Sequence, residues 1–134
     1  MASRIPPRLF LLTAALVLLV AGAGAQRVVH VGGRLGRLIS PWGYGLKTWK
    51  APKVLPGDLL VFQWLSEQHS VHKVDAADYA ACTFLNAKQL ARGRSYGNFV
   101  YKVPGEDYDK TIYFSSNVKK DCRNGIKVAF DVKP

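Results

Sequence analysis

The stretch from Tyr113 to Lys127, YFSSNVKKDCRNGIK, constrains this chain more than any other. It opens on an aromatic pair, Tyr113 and Phe114, and closes through Gly125-Ile126-Lys127 on an alternating run, Val128-Ala129-Phe130-Asp131-Val132. Aromatic and β-branched residues bounded by turn formers read as strands. Between the two runs lies a polar loop with Cys122, one of two cysteines among 134 residues. Two strand-like runs joined by a short cysteine-bearing loop point to a sheet.

The amino terminus is of a different kind. Arg4 and Arg8 precede an apolar run beginning at Leu9 and ending in Ala21-Gly22-Ala23-Gly24-Ala25. A basic start, an apolar middle and small residues at the exit describe a secretory signal peptide over residues 1–25, cut after Ala25. The alternative is a retained membrane anchor, since the run approaches the length that spans a bilayer. Cleavage leaves residues 26–134, enough for one small domain. No second apolar run follows, so no GPI signal is expected. The leader holds two of 19 basic residues and none of nine acidic ones, which leaves 17 against nine, or +8. The cations are scattered singly, so a nucleic-acid stripe is not expected. The charge suits either a plain soluble surface or attachment to an acidic polymer.

Along the mature chain, Val28-Val29-His30-Val31 followed by Gly32-Gly33 reads as a strand and a turn. Arg34 to Pro41 reads as irregular. Trp42, Tyr44 and Trp49 then supply large aromatic area for core or rim packing, with carbohydrate stacking as the alternative for Trp42 or Tyr44. Pro56-Gly57-Asp58 has the chemistry of a turn, and Leu59 to Trp64 is apolar on both parities, as a buried strand can be. Asp75 is placed to cap a short helix that ends near Cys82. Residues 83–98 are polar and punctuated by glycine, and are expected as loops around one short element. Asn98 to Val103 alternates as a strand, Pro104-Gly105 turns the chain, and Glu106 to Asp109 is expected as an exposed acidic stretch. Many short strands with turn signals indicate an all-β sandwich.

Several of these segments resemble the plant phytocyanins, the family of plantacyanins and early nodulin-like proteins. Lys53 to Phe62 is similar to that family's F-x-V-G-D-x-L-V-F, and Val74 to Cys82 to its V-x-x-x-D-Y-x-x-C. His69-Ser70-Val71 is similar to its H-N-V, and Tyr113 to Lys127 to its Y-F-x-C-G-V-x-G-H-C-x-x-G-M-K. The resemblance covers essentially all of residues 26–134. It implies a Greek-key cupredoxin-like β-sandwich with a short helix or two, and a disulfide between Cys82 and Cys122. A secreted chain with two cysteines suits that pairing. The competing reading makes Cys122 a copper thiolate and leaves Cys82 free.

The resemblance breaks where that family holds copper. His69 matches the first ligand histidine, but Ser116 stands at the thiolate cysteine, Asp121 at the second histidine and Ile126 at the axial methionine. A blue-copper centre takes its character from a thiolate and two imidazoles in a plane. The expectation is therefore no cofactor, with His69 at most a weak metal ligand and His30 and His72 without a metal counterpart. His69, Ser116 and Asp121 are also the residue types of a hydrolase triad, but no nucleophile elbow accompanies them, so no enzyme is expected. Lys119, Lys120 and Arg123 cluster beside these positions as a candidate binding patch, with solvated loop charge as the plain alternative. The expected protein is a monomeric, non-redox phytocyanin-like component of the apoplast or cell wall, without a membrane span. It would engage acidic polysaccharide or an extracellular protein. The alternative is a blue-copper electron carrier.

Overall fold

Leu59–Trp64, apolar on both parities, forms a strand with four of its six residues buried. Leu60, Phe62 and Trp64 join the hydrophobic core, and Val61 between them is buried as well. The computed structural model describes residues 26–33, 42–43, 46–65 and 67–134. Residues 1–25, expected as a signal peptide, the stretch 34–41 and Tyr44 lie outside the described residues. The elements run β1 (Val28–His30), β2 (Leu59–Trp64), β3 (His69–Val74), α1 (Ala76–Ala81), β4 (Lys88–Arg94), β5 (Gly97–Lys102), a 3-10 turn (Gly105–Asp107), β6 (Thr111–Ser115) and β7 (Lys127–Asp131).

Two sheets form, one ordered β1-β2-β5 and the other β4-β3-β6-β7. β1 pairs with β2 in parallel, and every other pair of strands is antiparallel. The chain changes sheet between β2 and β3, between β4 and β5, and again between β5 and β6, so each sheet is completed by strands distant in sequence. Phe62 from the first sheet meets Phe114 from the second at 5.0 Å, and Trp42 packs edge-on against Phe62 at the same distance. Phe62, Phe114 and Phe130 are wholly buried, each contributing roughly 1.5–3 kcal/mol of hydrophobic stabilisation. The expected all-β sandwich is present.

The Pro56-Gly57-Asp58 turn works as its chemistry suggests. Gly57 takes a positive φ of 94°, and Asp58 accepts from the Leu55 amide at 2.9 Å. The expectation for residues 83–98 needs correction. Lys88–Arg94 is a seven-residue strand, paired with β3 and turning tightly into β5. Its sequence, KQLARGR, carries no apolar alternation, because an edge strand with a solvated face needs none and takes its order from its neighbour. The acidic stretch is corrected as well. Asp107 is buried, and its carboxylate accepts from Lys73 Nζ at 2.9 Å and from the Tyr101 hydroxyl at 3.1 Å. Burial works against the Lys73 ammonium, but its bonds to Tyr101 and Asp107 outweigh that cost and raise its pKa. This trio ties the second sheet to the first, a link that no local pattern announces.

α1 lies over the second sheet, with Tyr79 stacked against Tyr113 of β6 at 5.0 Å. The Asp75 side chain caps it by accepting from the Asp78 amide at 2.8 Å, as expected. The helix ends at Cys82, which adopts the left-handed conformation at φ 54°. Cys82 is bonded to Cys122 across 40 residues of chain, with the Cα atoms 5.7 Å apart. A cross-link of that span contributes roughly 4 kcal/mol in the chain-entropy account. The alternative pairing, a free Cys82 beside a thiolate Cys122, is thereby removed.

Asp78 turns inward from α1 and organises the chain after it. Its two carboxylate oxygens accept from the Thr83 hydroxyl at 2.6 Å and from the Asn86 amide at 2.9 Å. The Thr83 bond first, and then the Asn86 bond, hold its pKa below the ordinary value. A depressed carboxylate contributes stability above its unfolded pKa, and that contribution is lost as pH falls through the folded one. Asp78→Asn is expected to melt below the wild type at neutral pH. From about pH 4 downward the two melting curves should draw progressively together. A difference in melting temperature that stays constant between pH 7 and pH 3 would contradict this role.

Candidate functional site

One pole of the sandwich gathers the positions where the family resemblance breaks. His69 is the first residue of β3, and Ser116 follows directly on β6, whose neighbour is β3. Ser116 is held by its amide, which donates to the Ile126 carbonyl at 3.1 Å. Asp121 belongs to the loop between β6 and β7. Its own amide bonds the Val118 carbonyl, and its carbonyl accepts from Ile126. Cys122, the next residue, fixes that loop to the end of α1. Thus a helix cap, two strands and a covalent bond set the positions of three side chains.

Those side chains form one network centred on Asp121. Its Oδ2 accepts from Ser116 Oγ at 2.6 Å and lies 2.8 Å from His69 Nδ1. Ser116 Oγ in turn accepts from the Ser70 amide at 3.0 Å. Ser70 Oγ donates to Asn117 Oδ1 and accepts from the Asn117 amide, both at 2.9 Å. Ser70 Oγ also stands 3.2 Å from His72 Nδ1. The His72 imidazole lies edge-on to Phe84 at 5.5 Å, and burial pushes its pKa down. At neutral pH it is an uncharged hydrogen-bonding partner. On the other side of the pocket Trp42 Nε1 donates to the Ser70 carbonyl at 2.8 Å. A methyl group on Gly43 would come within 2.8 Å of His69 Nε2, so backbone closes that face of the imidazole.

The structure brings His69, Ser116 and Asp121 together, as their positions suggest. Ile126 is buried nearby in the hydrophobic core, with an aliphatic side chain that offers no donor. The order of contacts is not that of a nucleophilic triad, in which imidazole lies between serine and carboxylate. Here the carboxylate is in the middle, and Ser116 is fully buried with its proton directed to Asp121. Lys119, Lys120 and Arg123 are exposed on the same loop. Lys119 borders a cleft shared with Glu67, Gln68, Ser95, Val118 and Asp121. Ser70, Asn117 and Gly43 also belong to this pole. No residue type or spacing marks them beforehand, because their roles come from β3 and the 116–121 loop meeting in space.

The donor chemistry can be tested against copper. A type 1 site takes a thiolate and two imidazoles. At the ligand positions stand one imidazole, His69, whose Nδ1 is engaged by a carboxylate, and a hydroxyl where sulfur would be needed. Among the described residues no group of three or more His, Cys, Asp or Glu side chains gathers as a metal site. The side chains present do not fit a type 1 centre.

The network also makes a stability prediction. Removing the carboxylate strands a buried serine hydroxyl and a buried imidazole nitrogen, and an unsatisfied buried polar group costs about 1–3 kcal/mol. Asp121→Ala is expected to lower unfolding stability by that amount in urea titration. Lys119→Ala, an exposed change, should stay within about 0.5 kcal/mol. Equal effects of the two changes would mean that Asp121 does not organise the pocket.

Comparison with known proteins bears on the same region. A plastocyanin-like domain model matches residues 40–126. Among solved structures, cucumber basic protein, described as a blue copper protein, aligns with a TM-score of 0.59 and 27% identity over 78% of this chain and 98% of that chain. Cucumber stellacyanin, solved with Cu2+, aligns with a TM-score of 0.62 and 23% identity over 81% of this chain and 97% of that one. At that identity the second match speaks to fold alone. No curated protein matches the chain. The expectation of no cofactor is corrected by these matches. The basic protein is a blue copper protein, so copper is the cofactor linked to this fold, and a missing cysteine at position 116 is no ground for assigning none. The donor set speaks only to the kind of copper site, not to whether the metal binds. No helix among the described residues is long and apolar enough to cross a membrane. With the family model covering well over half of its length, the chain belongs to the plastocyanin-like domain family, among structural neighbours that are phytocyanins.

Proposed function

We propose that this chain is a secreted phytocyanin-like protein that does not form a thiolate-ligated blue centre and acts as a non-redox binding or structural component of the extracellular matrix. The observation that carries the reading is the Asp121 carboxylate bonded to both His69 and Ser116. Side chains in the positions of three ligands satisfy one another's hydrogen bonds. A serine hydroxyl is a hard donor, protonated near neutral pH, and cannot supply the covalent sulfur bond on which the redox character of such a site depends. No hydrolysis is assigned to Ser116, whose hydroxyl is buried and faces a carboxylate.

Binding is assigned to Lys119, Lys120 and Arg123, exposed together on the loop between β6 and β7. Their charge adds to the basic balance of the whole chain and favours an acidic polysaccharide or peptide through salt-sensitive attraction. Retention on immobilised polygalacturonate is the test. Changing all three residues to Ala is expected to weaken retention severalfold at low salt, with the difference fading as salt screens it. Equal retention of wild type and variant at low salt would remove the loop from the binding surface.

The resemblance to a blue copper protein supports a second reading, electron transfer through bound copper. Titration with Cu(II) separates the two. The expected spectrum carries no intense blue thiolate-to-copper band, whether or not the metal is retained. Such a band would establish the second reading and overturn the first.

A further inference from the structure

The geometry points to a groove between β4 and β5 as a recognition site for a uronic-acid polysaccharide chain. Both are edge strands, one from each sheet, and their neighbouring edges leave a groove along the side of the sandwich. Leu90 and Phe99, half-buried, line it with apolar surface over the buried Trp64, Gln89 and Asn98 line it with amides, and Arg92 and Arg94 with exposed guanidinium groups. No carboxylate is among its lining residues. The cleft beside Lys119 differs, since Glu67 and Asp121 are among its lining residues.

The groove is built, not incidental. Trp64 reaches from the first sheet to the second, and its Nε1 donates to the Arg94 carbonyl at 2.8 Å. Its indole fills the space over Gly97, where any side chain would overlap it. The backbone carrying the arginines is thereby fixed relative to the floor. Arg92 and Arg94 both line the groove from β4, where the strand's register against β3 is shifted. Each planar guanidinium matches a carboxylate with paired hydrogen bonds. The amides suit sugar hydroxyls, and the aromatic and aliphatic floor suits the C–H face of a pyranose ring. A repeating acidic sugar presents all three chemistries together. An acidic peptide lacks the dense hydroxyls, and duplex nucleic acid calls for a longer basic stripe.

This inference rests on the extracellular polyanion reading above and adds a specific site to it. The loop cations attract at long range, whereas the groove recognises at contact. The two are therefore separable by salt. Retention on polygalacturonate is measured for wild type, Arg92→Gln/Arg94→Gln, Gln89→Ala/Asn98→Ala, and the Lys119, Lys120 and Arg123 triple-alanine variant. The arginine pair is expected to weaken binding about tenfold. The amide pair, which leaves charge unaltered, should weaken it severalfold. Both defects should persist at salt where the triple variant has recovered, and fully methyl-esterified polymer should not be retained. Unchanged melting temperatures would show that all variants fold. If the triple variant alone loses binding, the groove is overturned and the earlier reading stands. If wild type is not retained at all, both fall. Tighter binding of duplex DNA through the same arginines would overturn the sugar assignment.

Discussion

A single covalent bond, Cys82 to Cys122, joins the two parts of the molecule on which its functional pole depends. At one end it holds α1, whose Asp75 cap and Tyr79–Tyr113 stack seat it on the second sheet. At the other it holds the loop that carries Asp121 and the three cations. A polar loop of this kind has little apolar surface of its own to bury, so hydrophobic burial alone would not order it. The cross-link reduces the freedom of the unfolded chain and leaves the carboxylate within reach of His69 and Ser116.

With the loop so placed, the pocket becomes an exercise in polar satisfaction. Buried hydroxyls, amides and imidazoles are costly without partners, and this pole meets that cost with mutual bonds among Ser70, Ser116, Asn117, His69 and Asp121. At this pole hydrogen bonds join His69, Asp121 and Ser116 directly. The Lys73–Tyr101–Asp107 trio answers a similar problem between the sheets, where an ammonium is retained because two oxygens receive it. In both places one carboxylate bridges two donors from different parts of the chain.

Much of this was legible beforehand, for identifiable reasons. The turn at Pro56-Gly57-Asp58, the cap at Asp75 and the strands around Leu59–Trp64 and Thr111–Ser115 follow from local chemistry that needs no partner to be recognised. β4 was not legible, since Lys88–Arg94 becomes a strand by pairing with β3. Asp107 was misread as exposed for the same kind of reason: its partners, Lys73 and Tyr101, are 34 and six residues away. Cofactor assignment failed differently. The identities of Ser116, Asp121 and Ile126 describe a donor set, and a donor set argues about coordination geometry rather than about every mode of metal binding.

By itself the amino-acid sequence determined the fold class, the pair of cysteines available to cross-link, and the serine at position 116 and aspartate at position 121. Those properties belong to residue identity and local period, which do not change on folding. Only tertiary structure decided that Asp121 would lie between His69 and Ser116, that Gly43 would close over the imidazole, and that two edge strands would leave an arginine-lined groove beside Trp64. Each of these is a meeting of residues far apart in the chain. Its energy exists only once the sheets have packed, so no local window of sequence contains it.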